Sequence, residues 1–318
     1  MKDRNKGILY AASAALMWGF LAITLKVTLD YVPPITIVWL RFVIALGVLI
    51  LILYFKQPTA LKIFKKLPVL ALAAALGLTF NYIGYIIGLD LTTPSNAQVI
   101  IQLAPLMLAL VGIVIYREKL SKTQAWGFLI AIAGFGVFYR DQILNLVGSA
   151  TDYQAGIMWV MAAALAWVFF AAIQKKLVTR YHAQGLNALI YAVPALILWP
   201  WADFQVITGF TWQLWALMIF LGLNTLLAYG AIAEAFRYLP ANKVGIIVTV
   251  NPLITIVTMV ILGALEVSWI APEKISFLGM LGAIMILAGV SLAIVAKKVP
   301  ATPKKPLLTS KMAVNVKK

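Results

Sequence analysis

The chain has no cysteine and only one histidine, His182. Without cysteine, no disulfide, thiolate nucleophile or cysteine-based metal site can form. A single histidine cannot build a histidine-rich metal centre. We therefore expect no catalytic residue of these kinds, no metal and no cofactor.

Charged residues are also scarce. Only 11% of the 318 residues are charged and 63% are hydrophobic, whereas soluble domains have about a quarter charged and about half apolar residues. The net charge of +16 would suggest nucleic acid as a partner in a soluble protein, but the basic residues lie almost wholly between and after apolar runs. That pattern is typical of membrane topology, so the expected partner is the lipid bilayer and not nucleic acid.

Apolar runs of the length that crosses a bilayer as a helix, about 20 residues, occur repeatedly along the chain. The ten predicted spans are approximately 7–29, 35–55, 68–89, 94–116, 122–139, 155–178, 186–201, 212–236, 241–264 and 275–296. Because backbone groups in lipid must be hydrogen-bonded within the protein, and strand-length alternation is absent, the predicted fold is an all-α integral membrane protein.

The positions of lysine and arginine predict the orientation of the spans. With the amino terminus inside, only Arg140 and Lys274 fall in outer loops. Basic loops remain in the cytoplasm, so the sequence predicts a multi-pass protein of the cell inner (cytoplasmic) membrane with both termini cytoplasmic. The basic segment 300–318 is poor in bulky apolar residues and is predicted to be a disordered cytoplasmic tail.

The two halves of the chain resemble each other. The segment AALMWGFLA at 14–22 recurs as AALAWVFFA at 163–171, which aligns Trp18 with Trp167. Because each half holds five spans, an odd number, the second half must cross the membrane in the opposite direction. The sequence thus predicts two inverted five-helix repeats, at 1–148 and 149–299. Inverted repeats are characteristic of secondary transporters with a binding site near the bilayer midplane.

Further motifs recur in order and carry a resemblance to a known family. They are Thr93-Pro94, Ala104-Pro105-Leu106, Gly127 to Gly134 and Arg41 in the first half, and Leu239-Pro240-Ala241, Asn251-Pro252-Leu253, Glu266 and Gly282 to Gly289 in the second. With these motifs the chain resembles the EamA family of the drug/metabolite transporter superfamily. The resemblance implies a ten-helix carrier that exports small organic metabolites, such as amino acids, by alternating access.

Polar and aromatic side chains inside the predicted spans are the candidate substrate-binding residues. Buried amides are costly unless they face a bundle interior, and mid-span tryptophan and tyrosine rings provide both area and a hydrogen-bond donor. Interhelical hydrogen bonding and simple packing are the alternatives. The candidates are Trp18, Asn81, Tyr82, Tyr85, Gln98, Gln102, Trp167, Asn224, Tyr229 and Asn251.

Arg41 lies within the second span, and two alternatives apply to it. Its side chain either extends to the membrane surface or turns inward and attracts a carboxylate or phosphate group of the substrate. Extension to the surface is also open to Lys26, near the end of the first span. Pro105 and Pro252 lie near the middle of their spans. Each either lines a cavity as a hinge or makes a static kink.

Gly84 and Gly88 have the Gly-x-x-x-Gly spacing that permits close helix approach. The contact is either within the monomer or across a homodimer. Glu234 precedes Arg237 by three residues, which predicts a local ion pair and not a proton-coupling carboxylate.

A carrier of a small molecule is the leading functional hypothesis, and two others remain. A membrane-embedded enzyme would need an acid, base or nucleophile constellation near one interface, and the sequence has few residues to build one. A membrane scaffold or receptor would be expected to carry a substantial soluble domain. The longest loop, about 140–154, is too short to fold by itself.

Overall fold

The structure is a computed structural model, and it describes residues 2–104, 107, 108, 111, 120–145, 151–272 and 276–295. These residues are helical or in turns and contain no β-strand. The α-helices are α1 (Lys2–Leu29), α2 (Pro34–Lys56), α3 (Val69–Asp90), α4 (Pro94–Ile100), α5 (Lys122–Asn145), α6 (Thr151–Leu177), α7 (Ala183–Ile197), α8 (Phe204–Thr208), α9 (Trp212–Tyr238), α10 (Ala241–Val248), α11 (Asn251–Ala264) and α12 (Phe277–Val295).

Six helical segments in the described part of the chain are long and apolar enough to cross a membrane. They are Asp3–Leu29, Pro34–Lys56, Val69–Asp90, Asp152–Leu177, Trp212–Tyr238 and Lys243–Ala264, and shorter apolar helices lie at Lys122–Phe138, Ala183–Ile197 and Phe277–Ile286. The predicted all-α membrane fold is confirmed. The count of ten spans stays a prediction, because the span 94–116 is described only in part. The boundary at 148/149 and the tail 300–318 lie outside the described residues.

The span predicted at 241–264 is broken into two helices. α10 ends at Val248, Thr249 and Val250 form a turn, and α11 begins at Asn251. Pro252 therefore lies in the first turn of α11, where a proline needs no N–H, and not inside a continuous helix as the sequence suggested. α4 likewise ends at a turn before its second proline. That proline, Pro105, lies outside the described residues.

Helix packing in the two halves is equivalent. α1 packs on α9, and its counterpart in the second half, α6, packs on α3, the counterpart of α9. α2 packs on its own counterpart α7, and α5 packs on its counterpart α12. Exchanging the halves therefore reproduces the main helix pairs, as a twofold axis between the halves requires.

Glycines allow α5 and α12 to pack closely against each other. We call the contact of Gly127 and Gly134 with Gly282 and Gly289 the glycine seam. A Cβ atom on Gly134 would lie 2.9 Å from the carbonyl oxygen of Gly282, and one on Gly289 would lie 2.5 Å from that of Gly127. Residue numbers rise along one helix as they fall along the other, so the two helices are antiparallel. Antiparallel packing of repeat-equivalent helices is what inverted repeats produce.

The Gly-x-x-x-Gly spacing of α3 is used within the monomer. A Cβ atom on Gly84 would lie 3.1 Å from the carbonyl oxygen of Trp159, and one on Gly88 would lie 2.6 Å from that of Gly156, both on α6. Small residues allow the backbones of α3 and α6 to approach closely. Of the two alternatives drawn from the sequence, the structure supports the intramolecular one.

Two lysines hold the ends of neighbouring helices, and we call these contacts the lysine clamps. Nζ of Lys26 donates to the carbonyl oxygens of Leu89, Asp90 and Thr92 at distances of 3.2, 2.9 and 3.0 Å. The last carbonyls of a helix lack intrahelical partners and attract cations. Lys26 is therefore bound to the end of α3 and does not simply extend to the surface.

The second clamp lies in the other half of the chain. Nζ of Lys175, which aligns with Lys26, donates to the carbonyl oxygens of Phe236 and Leu239 at 3.0 and 2.8 Å. These carbonyls lie at the end of α9, the counterpart of α3. The two clamps are thus equivalent contacts, one in each repeat.

Candidate functional site

A cavity lies at the centre of the bundle, between helices of both halves. Its empty volume is about 570 Å³, the open space at its margin included. It is lined by Trp18, Leu21, Arg41, Asn81, Tyr82, Tyr85, Gln98, Ile101, Gln102, Ala104, Trp167, Tyr229, Val248 and Asn251.

Ten of the eleven predicted substrate-binding side chains line this cavity, and Asn224 is the exception. Nδ2 of Asn224 donates to the carbonyl oxygen of Met17 at 2.7 Å, which joins α9 to α1. For Asn224 the structure thus favours interhelical hydrogen bonding over cavity lining. Contact of the other ten with a substrate stays a prediction.

Four lining residues were not predicted from the sequence, namely Leu21, Ile101, Ala104 and Val248. All four are apolar, so they resemble the many lipid-facing and core residues of a membrane protein. Helical spacing contains a signal for Leu21, because it follows Trp18 by three residues and shares its face. Ile101 precedes Gln102 in the turn that ends α4, and such a break exposes neighbouring residues to the same space.

Arg41 turns inward to this cavity. Its side chain is 3% exposed, and its guanidinium carbon lies 4.4 Å from the centre of the Tyr82 ring. Nε donates to Oγ1 of Thr225 at 3.2 Å. Of the two alternatives drawn from the sequence, the structure excludes extension to the membrane surface.

Thr225 is a further residue of the site that sequence analysis missed. Its hydroxyl donates to the carbonyl oxygen of Leu221 at 3.0 Å and accepts from both Arg41 and the hydroxyl of Tyr82, the latter at 3.3 Å. One hydroxyl thus fixes the arginine and the tyrosine together. A threonine within a span gives little signal, because it can satisfy its own hydroxyl on the preceding helical turn.

Aromatic rings form one wall of the cavity. The Trp18 ring lies 5.9 Å from that of Trp167 and 5.3 Å from that of Tyr229, both in edge-to-face geometry. The Tyr229 ring in turn lies 5.8 Å from that of Tyr82. Such arrangements are favourable for aromatic pairs, and the contact between repeat-equivalent tryptophans places them at the axis between the halves.

A chain of amide hydrogen bonds forms another wall. The Tyr85 hydroxyl donates to Oε1 of Gln98 at 2.9 Å, and Nε2 of Gln98 donates to the carbonyl oxygen of Trp18 at 2.6 Å. Nε2 of Gln102 donates to the carbonyl oxygen of Gln98 at 3.3 Å and to Oδ1 of Asn251. These bonds join α1, α3, α4 and α11. Oε1 of Gln102 is buried without a partner.

The break between α10 and α11 lies beside the cavity. Val248, the last residue of α10, and Asn251, the first residue of α11, both line it. Pro252 follows in the first turn of α11. Discontinuous helices next to a binding site are common in transporters.

No aspartate or glutamate whose side chain the structure describes is among the residues that line the cavity. Glu234 accepts from Nη1 of Arg237 at 3.1 Å, which confirms the predicted local ion pair. Glu266 is exposed and has a positive φ of 51°. In the described part of the chain, no group of three or more His, Asp or Glu side chains is arranged to hold a metal ion.

Comparison with known proteins gives one consistent result. The profile described as the EamA-like transporter family matches residues 5–140 and 154–295. The chain is 35% identical to the "Uncharacterized inner membrane transporter YhbE" of Escherichia coli K12, over 89% of each chain. It is 30% identical to an "Uncharacterized transporter" of Haemophilus influenzae, over 92% of this chain and 95% of that one.

A solved crystal structure has the same fold. It superposes with a TM-score of 0.68 at 20% sequence identity, covering 90% of this chain and 96% of that one. At this identity the likeness is informative about the fold alone.

Proposed function

Because the chain belongs to the EamA-like transporter family, we propose that it is a secondary transporter that exports a small organic metabolite, such as an amino acid, by alternating access. The family resemblance seen in the motifs is confirmed. Substrate class, direction and mechanism are the parts that we propose. The proposed transport takes place across the cytoplasmic membrane. Both termini lie on the cytoplasmic side, as the distribution of basic residues predicts.

The observation that carries this proposal is the central cavity. Helices of both halves contribute to it, as the contact of Trp18 with Trp167 illustrates. A site between two inverted repeats can be opened to one side or the other when the repeats rock against each other. The broken helix α10–α11 and the turn after α4 support such movement, because both lie beside the cavity.

Neither alternative function has comparable support. The described lining contains one charged side chain, Arg41, and no carboxylate, cysteine or histidine. An acid and base pair for hydrolysis is thus absent from the lining. A scaffold has no need of a polar cavity between its repeats.

The test is transport by purified protein in liposomes, with a panel of radiolabelled amino acids, carboxylates, amines and nucleosides. We expect at least one compound to exchange across the membrane faster than in empty liposomes. Ala104→Phe fills the cavity and should abolish that exchange, whereas Leu165→Phe, at a position 59% exposed on the lipid-facing surface, should not. Exchange of no compound, or equal exchange by Ala104→Phe and wild type, would overturn the proposal.

A further inference from the structure

Arg41 is the only charged side chain that is buried among the residues that the structure describes. A guanidinium remains ionised in proteins and carries five N–H donors. Placing such a charge in the interior of a membrane protein is costly unless it is paired. The contacts of Arg41 therefore indicate what the cavity is built to hold.

The protein supplies Arg41 with neutral partners. The hydroxyl of Thr225 accepts from Nε, and the face of the Tyr82 ring lies against the guanidinium carbon. A cation over an aromatic face is attracted by the ring but keeps its full charge, and a neutral hydroxyl accepts only one of the five donors. Neither contact neutralises the charge.

A carboxylate partner is missing from the described residues. Arg41 forms no ion pair within 4.0 Å with any carboxylate whose side chain the structure describes. The aspartates and glutamates whose side chains the structure describes are all exposed or half-buried, and they are Asp3, Asp30, Asp90, Asp152, Asp203, Glu234 and Glu266. The cavity thus contains a fixed positive charge without a described negative one.

The rest of the lining suits an uncharged body. Trp18, Trp167 and Tyr229 present flat rings at one wall. Gln102 uses its Nε2 on the carbonyl oxygen of Gln98, so the orientation of its amide is set by a group that can only accept. Its Oε1 is therefore left as an acceptor for a donor group on the ligand.

We propose that the cavity binds an organic anion, whose carboxylate or phosphate lies against Arg41 and whose flat apolar body lies among Trp18, Trp167 and Tyr229. This inference rests on the proposed transport function and adds its charge selectivity. Arg41 is the residue that selects for the anion, because a carboxylate or phosphate can take two of its N–H groups at once.

The experiment compares four ligands that share an indole ring and differ in charge. Binding of indole-3-propionate (anion), tryptophan (zwitterion), 3-methylindole (neutral) and tryptamine (cation) is measured by calorimetry on the purified full-length protein. We expect the anion to bind most tightly and the cation most weakly. Benzoate and phenyl phosphate then distinguish a carboxylate from a phosphate as the preferred group.

Variants at Arg41 connect this order to one side chain. Arg41→Gln should weaken binding of the anion about 10- to 100-fold, the loss expected for charge-assisted hydrogen bonds, and leave 3-methylindole within about twofold. The affinity of Arg41→Lys for the anion should lie between that of wild type and that of Arg41→Gln, since lysine keeps the charge and loses the planar fork of N–H groups. Arg180→Gln removes the same charge from an exposed position and should bind all four ligands as wild type does.

Several outcomes would overturn the inference. One is tryptamine or 3-methylindole binding to wild type as tightly as indole-3-propionate does. Another is an equal loss for all four ligands in Arg41→Gln, which would mean that the arginine only stabilises the fold. Failure of every anion to bind would also reject it. The transport function would survive each of these results if Ala104→Phe still blocked the exchange of some other solute.

Discussion

In the first half of the chain Lys26 binds the end of α3, and in the second half Lys175 binds the end of α9 in the same way. The glycine seam likewise pairs equivalent residues, and Trp18 meets Trp167. The cavity lining does not follow this equivalence. α2 contributes Arg41, whereas its counterpart α7 contains no lysine or arginine.

This difference separates two kinds of residue. Contacts that occur in both halves hold the helices together, and we expect them to be independent of which substrate is bound. Side chains that occur in one half only, such as Arg41, make the two halves of the cavity lining unequal, and we expect them to distinguish one substrate from another. Substitutions at equivalent positions should therefore change stability by similar amounts, and substitutions in the cavity should change binding.

The glycine seam should show the largest effect. Gly134→Val and Gly289→Val are equivalent substitutions, and each added Cβ would lie within 2.9 Å of a backbone atom of the opposite helix. Overpacking against backbone that cannot move aside should lower the free energy of unfolding by about 3 kcal/mol for each. Denaturant titration of the purified protein in detergent measures both.

The control for the seam is Gly136→Val. Nothing lies within 4 Å of the Cβ position of Gly136, which is on the same helix as Gly134. The free energy of unfolding of this variant should remain close to that of wild type. A large loss for Gly134→Val with none for Gly289→Val would break the equivalence of the halves.

The lysine clamps come next. Lys26→Met and Lys175→Met each leave carbonyl oxygens at a helix end without their cation. Each substitution should lower the free energy of unfolding by about 2 kcal/mol. Thermal unfolding checks the two variants, with Lys176→Met as the matched control because Lys176 is exposed. If either clamp variant unfolded at the wild-type temperature, that clamp would not be a stabilising contact.

The smallest effects are expected at two asparagines that join equivalent helix pairs, α3 with α6 and α9 with α1. Nδ2 of Asn81 donates to the carbonyl oxygen of Ala163 at 2.9 Å, as that of Asn224 does to Met17. Asn81→Leu and Asn224→Leu should each cost about 0.6 to 1 kcal/mol of stability.

Transport should distinguish these two asparagines. Asn81 lines the cavity and Asn224 does not, so only Asn81→Leu should raise the KM for the exchanged substrate. Liposome exchange measured beside unfolding shows both effects. An equal rise in KM for Asn224→Leu would mean that the cavity is not where binding occurs.

Much of the fold and site could be predicted from the sequence, for physical reasons. Lipid tolerates few polar side chains, so the amides inside spans were candidates for the interior, and an inward position was one of the two alternatives for Arg41. The duplicated tryptophans indicated which helices are equivalent. These two constraints predicted ten of the lining residues without any coordinates.

The remaining features depend on contacts between distant parts of the chain. A proline in the middle of an apolar run is compatible with a kink or with the first turn of a new helix, and Pro252 proved to be the latter. Asn224 and Asn251 are both mid-span amides. Which of them faces the cavity depends on the rotation of each helix against its neighbours, and the sequence of one span does not contain that information.

The meeting of Trp18 with Trp167 bears on how such a chain can arise. A side chain on a twofold axis meets its own copy, so two identical half-length proteins assembled around such an axis would form the same ring contact. Such a pair would also have to carry every side chain twice, Arg41 included. Two halves joined in one chain have no such obligation, because their sequences can differ, and Arg41 can then be present once in a cavity that both halves line.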